Sequence, residues 1–387
     1  MKKCKKILLI VSVICILAGC VMMASAWFSL LDMESDEIAT MQFEEKTHTI
    51  TDAFSQINIS TVNSSIKILP STDGSCRVIC DDNEKLYHEV SVQKVEDGSV
   101  LYINQCDEWE WYEALGGLHW EEDPVLTVYL PETEYEILHA ASGSGDITVA
   151  PDFSFRTLYT RAISGNTSLS EIKAGFMTVY SSSGDIAART VQVENDAYLE
   201  NVSGFTQVED LTSSALTVVS SSGDTVMENI SSGRLGISSI SGYITLLRGH
   251  FSDSTHFEAS SGQIVIVDSL CGDQTLHTVS GNVTLQSVQT TAMELGSSSG
   301  TLALWDVTCS KNAHYQTVSG EIMFSGLDAE NLDFVTSSGD VSGDLLSSKN
   351  FITETASGYI EVPPSVEDAG TCYVNTASGN INIVIKP

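Results

Sequence analysis

Three of the five tryptophans in this 387-residue chain crowd into one acidic stretch, DEWEWYEALGGLHWEED (107–123): Trp109, Trp111 and Trp120, with Tyr112 between them. Aromatic faces beside carboxylates can stack on sugar rings while the acids accept hydroxyl hydrogen bonds, so these four residues are the first candidates for ligand recognition. The same aromatics could instead fold over the end of a larger body as a cap. A second set is Asp146, Asp185 and Asp224, joined by Asp340, each directly after a glycine. Carboxylates repeated along a chain can hold Ca²⁺, but the GGxGxDx spacing of calcium-binding rolls is missing, and an Asx role in a turn fits the same positions.

Catalytic signatures are missing. The eight histidines (His48, His88, His119, His139, His250, His256, His277, His314) form no HExxH, and no GxSxG, Walker loop or CxxC occurs. Leu130-Pro131-Glu132-Thr133 looks like the start of a sortase signal, but Glu134 stands where glycine is needed and the site is internal. No cofactor and no metal site is expected, the three weak calcium candidates aside, and a non-enzymatic protein follows.

The element that must position these residues is a repeat. Thirteen Ser-Gly pairs place glycine at 145, 165, 184, 204, 223, 242, 262, 281, 300, 320, 339, 358 and 379. Gly145, Gly184, Gly223, Gly281 and Gly339 are representative turn residues. Three positions before each glycine stands a compact residue, Ser142 through Thr376; two and four positions after it, apolar residues return, as in Ile264/Ile266 and Ile381/Ile383. Period two on each flank is a strand with one buried face, and the phase slip at glycine is a bend, where positive φ costs glycine nothing. A unit this short cannot bury its face alone but can in a stack. The fold class is therefore all-β: a β-helix or β-solenoid of about thirteen units of 19–20 residues, spanning 141–387.

Two positions before the glycine, branched apolar and hydroxyl residues alternate (Ile163, Ser182, Val202, Ser221, Ile240). A coil could hold one unit or two. Two would bring Asp146, Asp185 and Asp224 to about 5 Å, costing ~0.8 kcal/mol per pair even in water, which favours one unit per rung. Residues 32–140 read as irregular strands (INIST, SIKIL, CRVIC, VLTVYL) with a hairpin at Glu96-Asp97-Gly98, covering the N-terminal end. At the other end INIVIKP reads as an exposed last strand, weakly blunted by Lys386 and Pro387.

The charge is lopsided, with 18 Lys+Arg against 51 Asp+Glu, net −33. Four lysines (2, 3, 5, 6) form a basic tail, 1–6; setting those four positive charges aside leaves −37 on the remainder. Such a surface repels phosphate backbones, so nucleic acid is excluded as a partner. Residues 7–31 carry no charge and are long enough to span a bilayer as one N-terminal transmembrane helix, with the basic tail cytoplasmic and the rest outside. Alternatives in the same residues are a lipobox, Leu17-Ala18-Gly19-Cys20, lipidated at Cys20, and a signal peptide cut after Ala24-Ser25-Ala26. Each puts 32–387 outside the cytoplasmic membrane, where disulfides are permitted, although the spacings of Cys76, Cys80, Cys106, Cys271, Cys309 and Cys372 match no metal pattern and read as buried small residues.

The basic start, the single apolar segment and the thirteen SG-D/N/x-I/V turns resemble a bacterial family of adhesin-like proteins of unknown function, related to head-domain adhesins of autotransporter-like proteins. The resemblance covers about 45–387. It implies a right-handed β-helix at the cell envelope and brings no catalytic residues with it. The expected function is a membrane-anchored surface-binding scaffold whose partner is a cell-surface glycan, wall polymer or envelope protein. Two alternatives stay open: an envelope-stress or sensory accessory docking a membrane partner through its C-terminal edge, and a β-helix polysaccharide-active enzyme, for which the array has few cations to offer.

Overall fold

The computed structural model describes residues 43–96, 98–108 and 123–386. The apolar segment 7–31 with Cys20, and the aromatic set Trp109, Trp111, Tyr112 and Trp120, lie outside the described residues. What is described is all β: 29 strands, β1 (Glu44–Ile50) to β29 (Ile381–Ile385), hydrogen-bonded into one continuous sheet system.

Each unit pairs in parallel with the next, one unit per rung. In β10 (Ser154–Ala162), Leu158 lies beside Leu138 of β8 (Glu134–Ser142) on one side and Met177 of β12 (Lys173–Ser181) on the other. Asp146, Asp185 and Asp224 therefore sit two rungs apart, roughly 10 Å at the usual strand spacing, and do not repel as neighbours.

Burial alternates by two along each strand and slips to three at three places per rung. In one rung the slips run from Ser220 to Gly223, from Met227 to Ile230 and from Ser232 to Leu235. Every rung thus has three corners around one apolar interior, a column of residues such as Leu246, Ile266, Leu285, Leu304 and Phe324, none more than 2% exposed.

At the first corner the glycines do not take positive φ, contrary to the sequence expectation; the positive-φ glycines are Gly74, Gly98, Gly326 and Gly343. Glycine is required there because backbones touch. A Cβ on Gly165 would lie 2.0 Å from the carbonyl oxygen of Gly145, and one on Gly339 would lie 1.7 Å from that of Gly320. The compact residue three before satisfies the turned backbone: Gly300 N–H donates to Ser297 Oγ at 2.8 Å and Gly379 N–H to Thr376 Oγ1 at 3.0 Å. The preceding serine can reach the rung behind it, as Ser241 Oγ does to the Ser221 carbonyl. Left-handed backbone appears instead at the second corner, on a ladder of non-glycine residues that includes Asp152, Asp210, Asn229, Arg248 and Asp306, each with φ between 51 and 72°. Asp and Asn tolerate that region best.

Chain order and stacking order differ at both ends. Strands β2 (Gln56–Thr61) and β3 (Ser65–Pro70) form the first rung in sequence. They lie between the β8/β9 rung (β9, Ile147–Val149) and an outer rung made by β6 (Gly98–Asp107) and β7 (Val125–Leu130). Outside that rung the pairing turns antiparallel: β4 (Cys76–Asp82) adds to β7, β1 adds to β4, and β5 (Leu86–Val95) adds to β6 through the expected hairpin. At the far end β28 (Thr371–Thr376) and β29 insert between the rung of β24 and β25 (Ile322–Thr336, Val341–Leu345) and an outermost rung of β26 and β27 (Asn350–Thr355, Ile360–Glu361). The INIVI strand is thus interior, and the exposed edge belongs to β26/β27. The sequence expectation of a terminal INIVIKP edge fails because the 21-residue spacing before Gly379 lets the chain pass over its predecessor.

Candidate binding surfaces and a buried polar cluster

The Ser-Gly corner projects side chains two residues before each glycine into solvent. On alternate rungs they are large and apolar: Ile163, Val202, Ile240, Val279 and Val318 are all exposed, Ile240 to 60% and Val279 to 58%, and Val62, two before Ser64 at the same corner of the β2/β3 rung, extends the row. Ser182, Ser221, Ser260, Ser298 and Ser337 occupy the rungs between. Two apolar rungs add an exposed aromatic just after the glycine, Phe205 and Tyr243. The outcome is a linear ridge of apolar knobs about 10 Å apart on a strongly acidic chain. A regular row of exposed apolar side chains on so acidic a chain marks a candidate interaction site.

The acidic residues after the glycine serve the rung beyond. Asp146 Oδ1 accepts the Asn166 N–H at 2.7 Å, Asp185 Oδ1 that of Phe205 at 2.8 Å, Asp224 Oδ1 that of Tyr243 at 2.8 Å, and Asp340 Oδ1 that of Asn380 at 2.7 Å. Each bridges two rungs as an Asx acceptor, and the structure brings none of them together with another as a cation site.

In the outer rung, β6 ends and β7 begins at the corner where other rungs have the Ser-Gly turn. Beside it the neighbouring wall carries a ladder that sequence reading missed. His139, Tyr159, Tyr180 and Tyr198 stack rung on rung, with centroids 4.7, 5.6 and 5.6 Å apart. Tyr198 Oη donates to Glu200 Oε2 at 2.6 Å, a bond that with some burial pushes its hydroxyl up to about 12. His139, Tyr159 and Tyr198 each stand six residues before their glycine, but Tyr180 stands four before Gly184 and meets its neighbours diagonally at a tilt, so the ladder follows no single column of the repeat.

A groove of about 640 Å³ at the third corner is lined by Glu134, Glu136, Arg156, Lys173 and Glu194 among others. Arg156 Nη1 pairs with Glu136 Oε2 at 3.3 Å, both well exposed. Three acids with an arginine and a lysine are the composition a polysaccharide-active groove needs, although open to water.

Inside the N-terminal cap lies the cluster Cys80, Asp82 and His88. One ligating atom from each falls within 4.8 Å of the others, the one such group of three or more among the described residues. All three side chains are buried. His88 Nδ1 meets Asp82 Oδ1 at 2.7 Å, and Lys46 Nζ meets Asp82 Oδ2 at 3.2 Å. Burial first, then the charges of Asp82 and Asp81, push the Cys80 thiol up to about 12. A neutral, enclosed thiol is a poor nucleophile. The sequence hid it because C-x-D-x₅-H matches no common spacing, and the three meet only when β5 turns back past β4.

The Toastrack DUF4097 family matches residues 54–269 and again 268–387. No curated protein matches the chain. Among solved structures, a putative lipid binding protein from Parabacteroides distasonis is 15% identical with a TM-score of 0.34, covering 78% of this chain and 96% of its own. A putative adhesin from Parabacteroides merdae is 12% identical with a TM-score of 0.30, covering 79% and 97%. A putative cell adhesion protein from Clostridium sporogenes is 8% identical with a TM-score of 0.19, covering 89% and 100%.

Proposed function

The chain belongs to the Toastrack DUF4097 family, and from that premise we propose that it is a non-enzymatic, membrane-tethered scaffold that binds an extended partner outside the cytoplasmic membrane. The observation that carries this reading is the ridge: exposed Ile163, Val202, Ile240, Val279 and Val318 repeat along one corner of a rung stack. A regular array of shallow contacts suits a partner that is itself long, a surface glycan, a wall polymer or an extended protein segment. The anchor is residues 7–31, retained or exchanged for a lipid on Cys20, and the crossovers between parallel strands are right-handed, as nearly all such connections are. A kinship with autotransporter-like head domains is part of the same proposal.

In this arrangement the end that carries β1 faces the membrane, and Trp109, Trp111, Tyr112 and Trp120 supply a second contact. Replacing Ile163, Val202, Ile240, Val279 and Val318 by serine should abolish sedimentation of the chain with wall material, and W109A/W111A/W120A should weaken it; binding unchanged in both variants ends the proposal. The 134–194 groove favours a second reading, a polysaccharide-active enzyme. It requires that the chain shorten an acidic or neutral polysaccharide and that E136Q and E194Q stop it.

A further inference from the structure

We propose that Cys80, Asp82 and His88 form a binding site for a thiophilic divalent cation, Zn²⁺ by its chemistry, which staples the two walls of the N-terminal cap. Cys80 and Asp82 are two apart on β4, so both point to its buried face. The connection to β5 is held in shape by Asn83, whose Oδ1 accepts the N–H groups of Lys85 at 2.9 Å and Leu86 at 2.8 Å. That turn returns His88 to the same interior.

Two atoms of the trio lack partners. His88 Nε2 is buried with no hydrogen bond. Cys80, wholly buried, makes none among the described residues. A buried ring nitrogen left unpaired is destabilising, and coordination through it would remove that cost. Thiolate, imidazole and carboxylate are zinc's usual donors. Three of them around one ion lie about 3–4 Å apart, so a set already within 4.8 Å needs a small closing movement. Charge also balances. Zn²⁺ with one thiolate, one carboxylate and a neutral imidazole is a neutral unit, fit for burial. Binding releases the Cys80 proton to solvent. Lys46, whose side chain is half exposed, leaves Asp82 for water, and a solvent molecule can complete four-coordination.

The position explains the use. β4 extends the wall of β3 and β7, and β5 extends the wall of β2 and β6. Here the pairing has turned antiparallel, and among the described residues no further closed rung joins the two walls. An ion held by Cys80 and Asp82 from one wall and His88 from the other closes that gap.

The test is metal content and cobalt spectroscopy on the full chain in detergent. Wild type loaded with zinc and dialysed should retain one equivalent, and loaded with Co²⁺ should show a near-ultraviolet sulfur-to-cobalt charge-transfer band. C80S should lose that band, H88Q should lose the retained metal, and C309S should keep both. K46M, which removes the competing cation, should bind several-fold tighter. A wild-type cobalt complex with no sulfur band, or zinc retention equal in wild type, C80S and H88Q, shows an ion held on the acidic surface and overturns the site. Circular dichroism of C80S matching wild type establishes that lost binding is not lost folding; if C80S does not fold, K46M and the cobalt spectrum of wild type decide.

Discussion

At the N-terminal end the outermost rung, β6/β7, is continued on both walls by antiparallel strands. At the C-terminal end β26/β27 remains a parallel edge, partly covered by the 362–370 loop through Ser365 Oγ and the Phe351 backbone. Both ends bury an early or late rung behind another one, so neither β2/β3 nor β28/β29 is an edge. They differ in what lies beyond. The N-terminal cap buries Val78, Cys80, Leu86 and the polar trio, whereas the C-terminal rung leaves Ile352, Tyr359 and Ile360 exposed. An open parallel edge can template association with another strand unless something blunts it. The two ends thus present different edges: the mostly polar antiparallel β1 (EEKTHTI) at one, exposed apolar side chains on a parallel rung at the other.

The largest expected effect tests the buried position of the last strands. Deleting 371–387 removes Cys372, Val374, Ile381 and Ile383, all essentially inaccessible. At about 1.5 kcal/mol or more for each buried apolar side chain, the loss is roughly 6 kcal/mol, and urea unfolding should become biphasic as the C-terminal rungs detach. Deleting β1, which buries no side chain fully, should cost about 1 kcal/mol. Equal costs for the two deletions would mean that the two ends are alike.

Next come the glycines that report stacking order. A Cβ on Gly379 would meet the Gly339 carbonyl oxygen at 1.9 Å, with the β26/β27 rung packed on its other side. Gly379→Ala should therefore cost about 3 kcal/mol by urea titration. Gly358 has the same approach, 2.0 Å to the Gly379 carbonyl, but lies in the outermost rung, which can lift away. Gly358→Ala should cost about 1 kcal/mol. The reverse ranking would place β26/β27 inside and break the swapped order.

That order was the part of the fold the sequence could not show. The repeat was legible because every rung needs the same three things at the Ser-Gly corner: no Cβ at the backbone contact, a compact acceptor such as Thr317 three residues before, and apolar residues such as Ile322 and Phe324 after. One unit per rung was legible from charge, since Asp146, Asp185 and Asp224 demand separation. The second corner was not, because its left-handed residues, though five of the nine are Asp or Asn, also include Glu171, Thr190, Arg248 and Ser287, so no single side-chain type marks it. Nor was the swap at either end, since which rung covers which depends on loop reach rather than on pattern. The alternating knobs of the ridge stood in the sequence as Ile163, Ser182, Val202, yet only the corner geometry shows that they face water.

A smaller effect sharpens the contrast between the two edges. Ile352→Lys and Tyr359→Lys put charge on exposed positions of the last rung. Stability should change by less than about 0.5 kcal/mol, while any concentration-dependent association seen by sedimentation velocity should fall. The matching change on the N-terminal edge, Glu45→Lys, should leave association as it was. Association that responds to Glu45 and ignores Ile352 and Tyr359 would reverse the assignment of the open end.

The smallest effect uses one buried thiol from each end as a reporter. Burial pushes both Cys80 and Cys372 up to about 12. A folded-state value above the ordinary thiol value of 9.0 means that the native state holds its proton more tightly than the unfolded chain. Stability from each thiol is therefore complete below about pH 9 and declines as pH rises towards about 12. Cys372→Ala should flatten the alkaline part of the stability curve without shifting its neutral plateau by more than the cavity it leaves. Before global unfolding, the two thiols are reached only by local opening, whose free energy falls towards frayed edges. Cys372 and Cys80 each lie one strand in from an edge strand, β26 and β1, but Cys80 also faces β5 across the cap interior, so a thiol reagent at pH 9 should modify Cys372 first. Modification of Cys80 at the same rate would mean that the antiparallel strands add no closure, and the contrast between the two ends would then rest on exposed side chains alone.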